Sequence, residues 1–329
     1  MSVGVAPLPF LRASELAVQG LEERWLVRSL WAREAVGIIG GAPKCCKSWL
    51  GLDLAISVAS ATPCLDRFEV DAPGPALVYL AEDALPMVRA RIEAVCQHRQ
   101  LAIDELDLHV VDVPALRLDL VGDQQRLEAA VALLQPRVVV LDPLVRLHRL
   151  DENSASDISR LLGYLRELQR AHAVAIVLVH HASKKHRAQP GQALRGSSDL
   201  HAFGDSNAYL ARKHDHIVLT LEHRSARPPE PLTLELVSAR DGTRTHLAIV
   251  GPSPAEHADQ PLPQRVLDHL GTVSAVPQSR TALRVALRVS NNRLGDALID
   301  LERRGKLQRS PDGWILAPAA DSRQSSLFD

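Results

Sequence analysis

The sequence is poor in aromatic residues, has no long apolar run and carries almost no net charge. Phe, Trp and Tyr together make up 3% of the 329 residues, and the formal charge is −1. Without an apolar run of spanning length, no transmembrane helix is expected. Near-neutral charge excludes a protein that is basic all over, so any nucleic-acid surface must be local. The four cysteines, Cys45, Cys46, Cys64 and Cys96, form no C-x-x-C pair and have no histidine at zinc-finger spacing, so they read as reduced thiols. The first residues, MSVGVAPLPFLRASELA, lack the charged start and continuous apolar core of a secretory leader. The expected address is therefore the cytoplasm. No internal repeat is visible.

What the chain does have is a strand, loop, helix rhythm, with 46% apolar residues to fill a large core. Apolar runs at 36–39, 75–83, 107–113, 137–144 and 173–181 alternate with helical patterns at 47–59, 85–99, about 123–135 and 157–172. The runs Val138-Val139-Val140-Leu141 and Ala175-Ile176-Val177-Leu178-Val179 lack polar alternation, as expected of parallel strands buried on both faces. The fold class expected is α/β, a mostly parallel sheet with helices on both sides. After residue 200 the rhythm changes. Segments 216–224 and 231–239 alternate polar and apolar residues around SARPPEP, which predicts a hairpin at the sheet edge. A Pro-rich, small-polar stretch at 251–262 reads as a linker, which separates a first domain, 1–250, from a second, 263–317, and a tail, 318–329.

The chemistry begins at GAPKCCKSW, residues 41–49. A phosphate-binding loop reads G-x-x-x-x-G-K-[ST] between a strand and a helix, with backbone N–H groups turned toward a β-phosphate. Here Gly41 opens the pattern, Ala42, Pro43, Lys44 and Cys45 fill it, and Lys47-Ser48 followed by Trp49 closes it. Cys46 stands where the second glycine belongs, so the stretch is either a nucleotide site with a substituted hinge or a strand-to-helix turn that happens to carry Lys and Ser. Two acids favour the first reading. Asp142 follows four apolar residues at a strand end, where a carboxylate can hold Mg²⁺ through water together with the Ser48 hydroxyl. Glu82 ends the strand LVYLAE, where it can orient an attacking water.

Across about residues 20–245 the sequence resembles the RepA-type hexameric helicases, members of the RecA and DnaB superfamily. GAPKCCKSWLGLDLA, LVYLAED, VVVLDPLVRL, IVLVHHASKK, LRGSSDL and LEHRSARPPEPL carry the resemblance. It implies a RecA-like P-loop ATPase core that uses ATP and Mg²⁺ and assembles as a homo-oligomer, a hexamer. It implies Lys47 and Ser48 as ligands of nucleotide and metal, Glu82 as catalytic glutamate and Asp142 as the Walker-B aspartate. His180 and His181 fall where the family places its γ-phosphate sensor, and Arg224 matches the arginine that enters a neighbouring subunit's site. Two departures stand out. A Cβ at Cys46 is disfavoured where glycine gives freedom, and Glu222 replaces a frequent lysine two residues before the arginine.

Lys184, Lys185, Arg187 and Arg195 lie in loops that in this family line a pore for single-stranded DNA; a solvated charge run is the other reading. Aromatic stacking groups are missing there, so strand contacts would be electrostatic and salt-sensitive. The segment 263–317 shows three helical patterns and a Pro-Asp-Gly hairpin, resembling a winged helix-turn-helix, with basic residues outnumbering acidic ones nine to five. Asn292 and Arg293 at the third helix can reach bases of duplex DNA and Arg309 a phosphate, the other reading being a protein-docking module. The tail spells Q-x-x-L-F through Gln324, Leu327 and Phe328, which resembles peptides bound by the bacterial sliding clamp, or is an unstructured end. The function expected is a DNA-associated ATPase: a ring-forming replicative helicase or helicase-like factor of a mobile element. The alternatives are a DNA-binding regulator with nucleotide-switched assembly and a recombination ATPase that coats single strands. No membrane partner is expected.

Overall fold

A computed structural model describes residues 8–16, 20, 24–151, 155–181, 198–213, 216–239, 244–250, 262–272, 277–287, 291–311 and 313–317. The chain divides into two compact units, Met1–Val250 and Gly251–Asp329. In the first, β1 (Trp25–Val27) and β2 (Trp31–Ala32) form a short antiparallel pair around a fully buried Trp31. Next come β3 (Val36–Gly41), α1 (Lys47–Ser60), β4 (Ala76–Leu80), α2 (Leu85–Arg99), β5 (Leu108–Val110) and α3 (Val121–Leu134). They are followed by β6 (Val138–Asp142), α4 (Ala155–His172), β7 (Ala175–His181) and α5 (Ser198–Phe203), then β8 (Ser206–Lys213), β9 (His216–His223), β10 (Leu232–Ser238) and β11 (Thr245–Val250).

Strands β3 to β11 make one nine-stranded sheet in the order β11-β10-β9-β8-β3-β7-β6-β4-β5. From β8 to β5 neighbours run parallel, and β9, β10 and β11 add antiparallel to β8. The expected mostly parallel α/β sheet is present, and the unbroken apolar runs explain it. Val138 and Val140, with Ala175, Val177 and Val179, join the core under α1 and α2. Their alternates Val139, Leu141, Ile176 and Leu178 join the core under α3 and α4. A strand buried on both faces has no polar side to show, because alternate residues meet different helix layers.

The far side of the sheet corrects one expectation and adds a strand. The 216–238 hairpin is not the edge: β11 pairs with β10 over six residues and takes that place. A further strand, β8, is inserted between β9 and β3. Its polar start is bonded rather than hydrated. Asn207 Oδ1 accepts the Ile38 N–H at 3.0 Å, Ser206 Oγ accepts the Ala32 N–H at 3.0 Å, and the Asp205 carboxylate accepts the Val36 N–H at 3.3 Å. Buried polar side chains thus stand in for ladder bonds at the entry to β3.

The second unit packs α6 (Leu262–Thr272), α7 (Arg280–Leu287) and α8 (Asn291–Arg303) with an antiparallel pair, β12 (Leu307–Ser310) and β13 (Gly313–Leu316). Val266, Leu270, Leu283, Leu287, Leu294, Leu298, Leu301 and Leu307 form its core, one stripe from each helix. Gln278, just before α7, exchanges two backbone hydrogen bonds with Trp314 and so extends the hairpin by a third strand contact. No described helix is long and apolar enough to cross a membrane.

Candidate nucleotide site

The carboxyl ends of β3, β7, β6 and β4 point the same way, and the loops leaving them surround a cleft of about 450 Å³. In open α/β sheets this is the edge where ligands bind, because loops diverge there around helix N-termini. Gly41 ends β3 against β8, and a Cβ on it would lie 2.3 Å from the Leu210 carbonyl oxygen, so close strand approach demands glycine. The turn 42–46 then delivers the chain to α1. Its last residue, Cys46, adopts φ 60° and ψ 27°, the left-handed conformation, and precedes the first helical residue, Lys47. An L-residue held there costs about 1–2 kcal/mol, which glycine avoids. The position at which the sequence departs from the pattern is thus one where the backbone wants glycine.

Lys47 is buried and its ammonium donates to the Ala42 carbonyl at 2.8 Å, folding the side chain across the turn. Burial lowers its pKa, partly opposed by Cys45 and Asp142. Asp142 closes β6 with 7% exposure. Burial pushes its carboxyl up to about 6, although the Ser48 hydroxyl donates to it and Lys47 lies near. A carboxylate that is desolvated with so little compensation favours an added cation. Glu82 lies two residues beyond the end of β4, not at the strand end itself, and is half exposed. Its Oε1 accepts from Arg146 Nε at 2.8 Å, an ion pair that bridges the loops after β4 and β6.

The strand period separates the two histidines. His181, opposite Gly41 in the ladder, lines the cleft, whereas His180 is 1% exposed and does not. Several cleft residues are not visible in the sequence pattern. Arg212 at the end of β8 lines the cleft and donates to the Lys44 carbonyl at 3.0 Å. Asp83 takes both guanidinium nitrogens of Arg91 at 2.5 and 3.0 Å, and Arg91 stands over the Trp49 ring at 5.7 Å. Each depends on a pairing eight or more residues apart, to which no local motif points.

Residues 5–187, more than half the chain, match the AAA domain family. The chain belongs to that family. With its loop and sheet order it is a RecA-like P-loop ATPase, and nucleotide binding follows from that membership. Among solved structures, the chain is similar to the KaiC-like protein PH0186 from Pyrococcus horikoshii OT3. The identity is 12%, the TM-score 0.49, and 71% of this chain and 96% of that one are covered. It is also similar to the RadB recombinase, at 14% identity and TM-score 0.48, with 67% and 92% covered.

Arg224 stands apart from the cleft. Its N–H donates to the Asp205 carbonyl at 2.9 Å, and the Asp205 N–H in turn donates to the carbonyl of Val36, the first residue of β3. The phosphate loop starts at the other end of that six-residue strand, roughly 17 Å away at strand rise. Its guanidinium pairs with Asp205 at 3.0 Å. Glu222, two residues earlier, takes His201 Nε2 at 2.9 Å. Lys184, Lys185, Arg187 and Arg195 lie outside the described residues, as do Gln324, Leu327 and Phe328. In the second unit, Asn292 and Arg293 fall in the first turn of α8, and Arg309 is exposed on β12 with its guanidinium 5.8 Å from the Trp314 ring centre.

Proposed function

We propose that this protein is a DNA-associated, Mg²⁺-dependent ATP hydrolase, a ring-forming RepA-like helicase or helicase-like factor. The observation that carries the reading is the convergence of Lys47, Ser48, Glu82, Asp142 and His181 on one cleft at the strand ends. Lys47 and the backbone N–H groups at the start of α1 would hold the phosphates. Ser48 and, through water, Asp142 would hold Mg²⁺, which when bound supplies charge neutralisation on the phosphate oxygens. The fit rests on Asp142, a carboxylate beside Ser48 whose pKa is raised by burial, with Asp83 and Glu82 adding to the rise. Glu82 positions the attacking water and takes its proton as base.

Arg224, at the far end of the sheet from its own loop, suits use by a neighbouring subunit and so a hexameric ring. Single-stranded DNA would run past Lys184, Lys185, Arg187 and Arg195. The second unit would act as a winged helix on duplex DNA through Asn292, Arg293 and Arg309, with Gln324, Leu327 and Phe328 engaging a sliding clamp. A second reading, a DNA-binding regulator that hydrolyses slowly and switches assembly, is favoured by the left-handed Cys46 and by the Glu82–Arg146 pair. ATP hydrolysis measured with and without single-stranded DNA, beside a strand-displacement assay, tests both. The helicase reading expects turnover stimulated at least several-fold by single strands, with displacement. Slow, unstimulated turnover without displacement would favour the regulator, and no turnover at all would contradict both.

A further inference from the structure

Away from the cleft, three titratable side chains from distant parts of the first unit meet at one point. Asp66 belongs to the turn after α1, His98 to the last turn of α2, and His246 to the edge strand β11. His98 Nε2 lies 2.7 Å from Asp66 Oδ2. The imidazoles of His98 and His246 lie face to face, their centres 3.4 Å apart and their planes 10° from parallel. One nitrogen or oxygen from each of the three lies within 4.8 Å of the other two. The Nδ1 of His246 is shut off from solvent and has no hydrogen-bond partner. An orphaned ring nitrogen beside a second imidazole and a carboxylate is hard to explain as packing alone, since a buried polar atom without a partner is destabilising.

We propose that Asp66, His98 and His246 bind a divalent transition-metal ion, with Zn²⁺ the class that best fits two imidazole nitrogens and one carboxylate oxygen. Three such ligands suit a four-coordinate zinc, and Asp66, half exposed, leaves a side open for water as the fourth. Ligand atoms around Zn²⁺ at about 2.0–2.2 Å stand roughly 3.3–3.5 Å apart, and because parallel stacked rings cannot both aim an in-plane lone pair at one ion, binding turns one imidazole out of the stack. The nearest opposing charge is Arg99, whose Nε is 3.9 Å from Asp66. Its guanidinium is mainly engaged by the buried Asp53 at 2.7 Å. The bound ion would pin β11, the last strand before Gly251, to α2 and the turn after α1.

The test uses the full chain, stripped with a chelator and free of nucleotide and Mg²⁺. Zn²⁺ is titrated by calorimetry and thermal denaturation, and Co²⁺ by absorption. One equivalent of Zn²⁺ is expected to bind at micromolar or lower concentration and raise the melting temperature. Co²⁺ is expected to give four-coordinate d–d bands without thiolate charge transfer. His98→Ala and His246→Ala should each weaken binding at least tenfold. If either variant fails to fold, nitrogen NMR of the wild-type imidazoles decides, since Zn²⁺ must then shift two histidine resonances. Thiolate bands, which would place the metal on cysteine, would overturn the proposal. So would unmoved histidine resonances, unchanged binding in a folded His246→Ala protein, or no uptake below millimolar Zn²⁺.

Discussion

Asp53 and Asp142 are nearly equally buried, at 2% and 7% exposure, yet their surroundings treat them in opposite ways. Asp53 on α1 accepts from Arg99 at 2.7 Å, from the Leu65 N–H at 2.9 Å and from the Cys64 thiol at 3.1 Å. Arg99 also donates to Ser57 and Thr62, so the network ties the turn after α1 to both helices. Asp142 has the Ser48 hydroxyl and a lysine whose ammonium donates elsewhere. A carboxylate with its partners in place is architecture. One desolvated at a strand end beside a hydroxyl and a lysine engaged elsewhere is the kind that an added cation would stabilise, and the contrast rests on surroundings without reference to any motif.

Removing the satisfied acid should have the largest effect on stability. Asp53→Asn leaves the Arg99 guanidinium buried beside a neutral amide, and urea denaturation should show a loss of about 3–5 kcal/mol. The unsatisfied acid should behave in the reverse sense. Its folded pKa lies above the ordinary carboxylate value, so its favourable contribution is complete below about pH 4 and is lost as pH rises through about 6. Asp142→Asn, which cannot ionise, should therefore stabilise the nucleotide-free protein at pH 7 and change almost nothing at pH 4. The gain at pH 7 should reach up to about 3 kcal/mol, because a pKa raised by one is worth about 1.4 kcal/mol. Denaturation curves at the two pH values check this, and destabilisation by Asp142→Asn at pH 7 would break the comparison. The smallest effect concerns the hinge beside Lys47. Cys46→Gly relieves the left-handed strain, and calorimetric titration with ATP should show binding tighter by about 1 kcal/mol, near fivefold. Unchanged affinity would mean that the loop tolerates cysteine without cost.

Much of the parallel half of the sheet is legible in the sequence because β3, β4, β6 and β7 are apolar runs with polar or glycine residues of chemical interest at or just beyond their ends. Val138 to Asp142 is one such unit, and Gly37 to Gly41 leading into Lys47 is another. The antiparallel half is harder to read for a physical reason. The start of β8 buries Ser206 and Asn207, whose side chains bond the backbone of β2 and β3, so its pattern imitates a loop. The outer edge misleads because β11, with partly exposed residues beside buried Leu247, gives only a weak alternation. Within the cleft, single residues at strand ends are visible, but Arg146 against Glu82, Arg91 against Asp83 and Arg212 against Lys44 exist only once the sheet has closed. The same holds for Asp66, His98 and His246, 32 and 148 residues apart in sequence, which no spacing rule connects.

The central claim, that one cleft both holds ATP and hydrolyses it, is tested most directly by comparing the wild type with Glu82→Gln in two assays. These are equilibrium binding of Mg²⁺-ATP and single-turnover phosphate release in the presence of single-stranded DNA. Glutamine keeps the size of the side chain but cannot accept the water's proton. The account predicts binding within about twofold of wild type and a release rate lower by about two to four orders of magnitude. Equal release rates in the two proteins would contradict it.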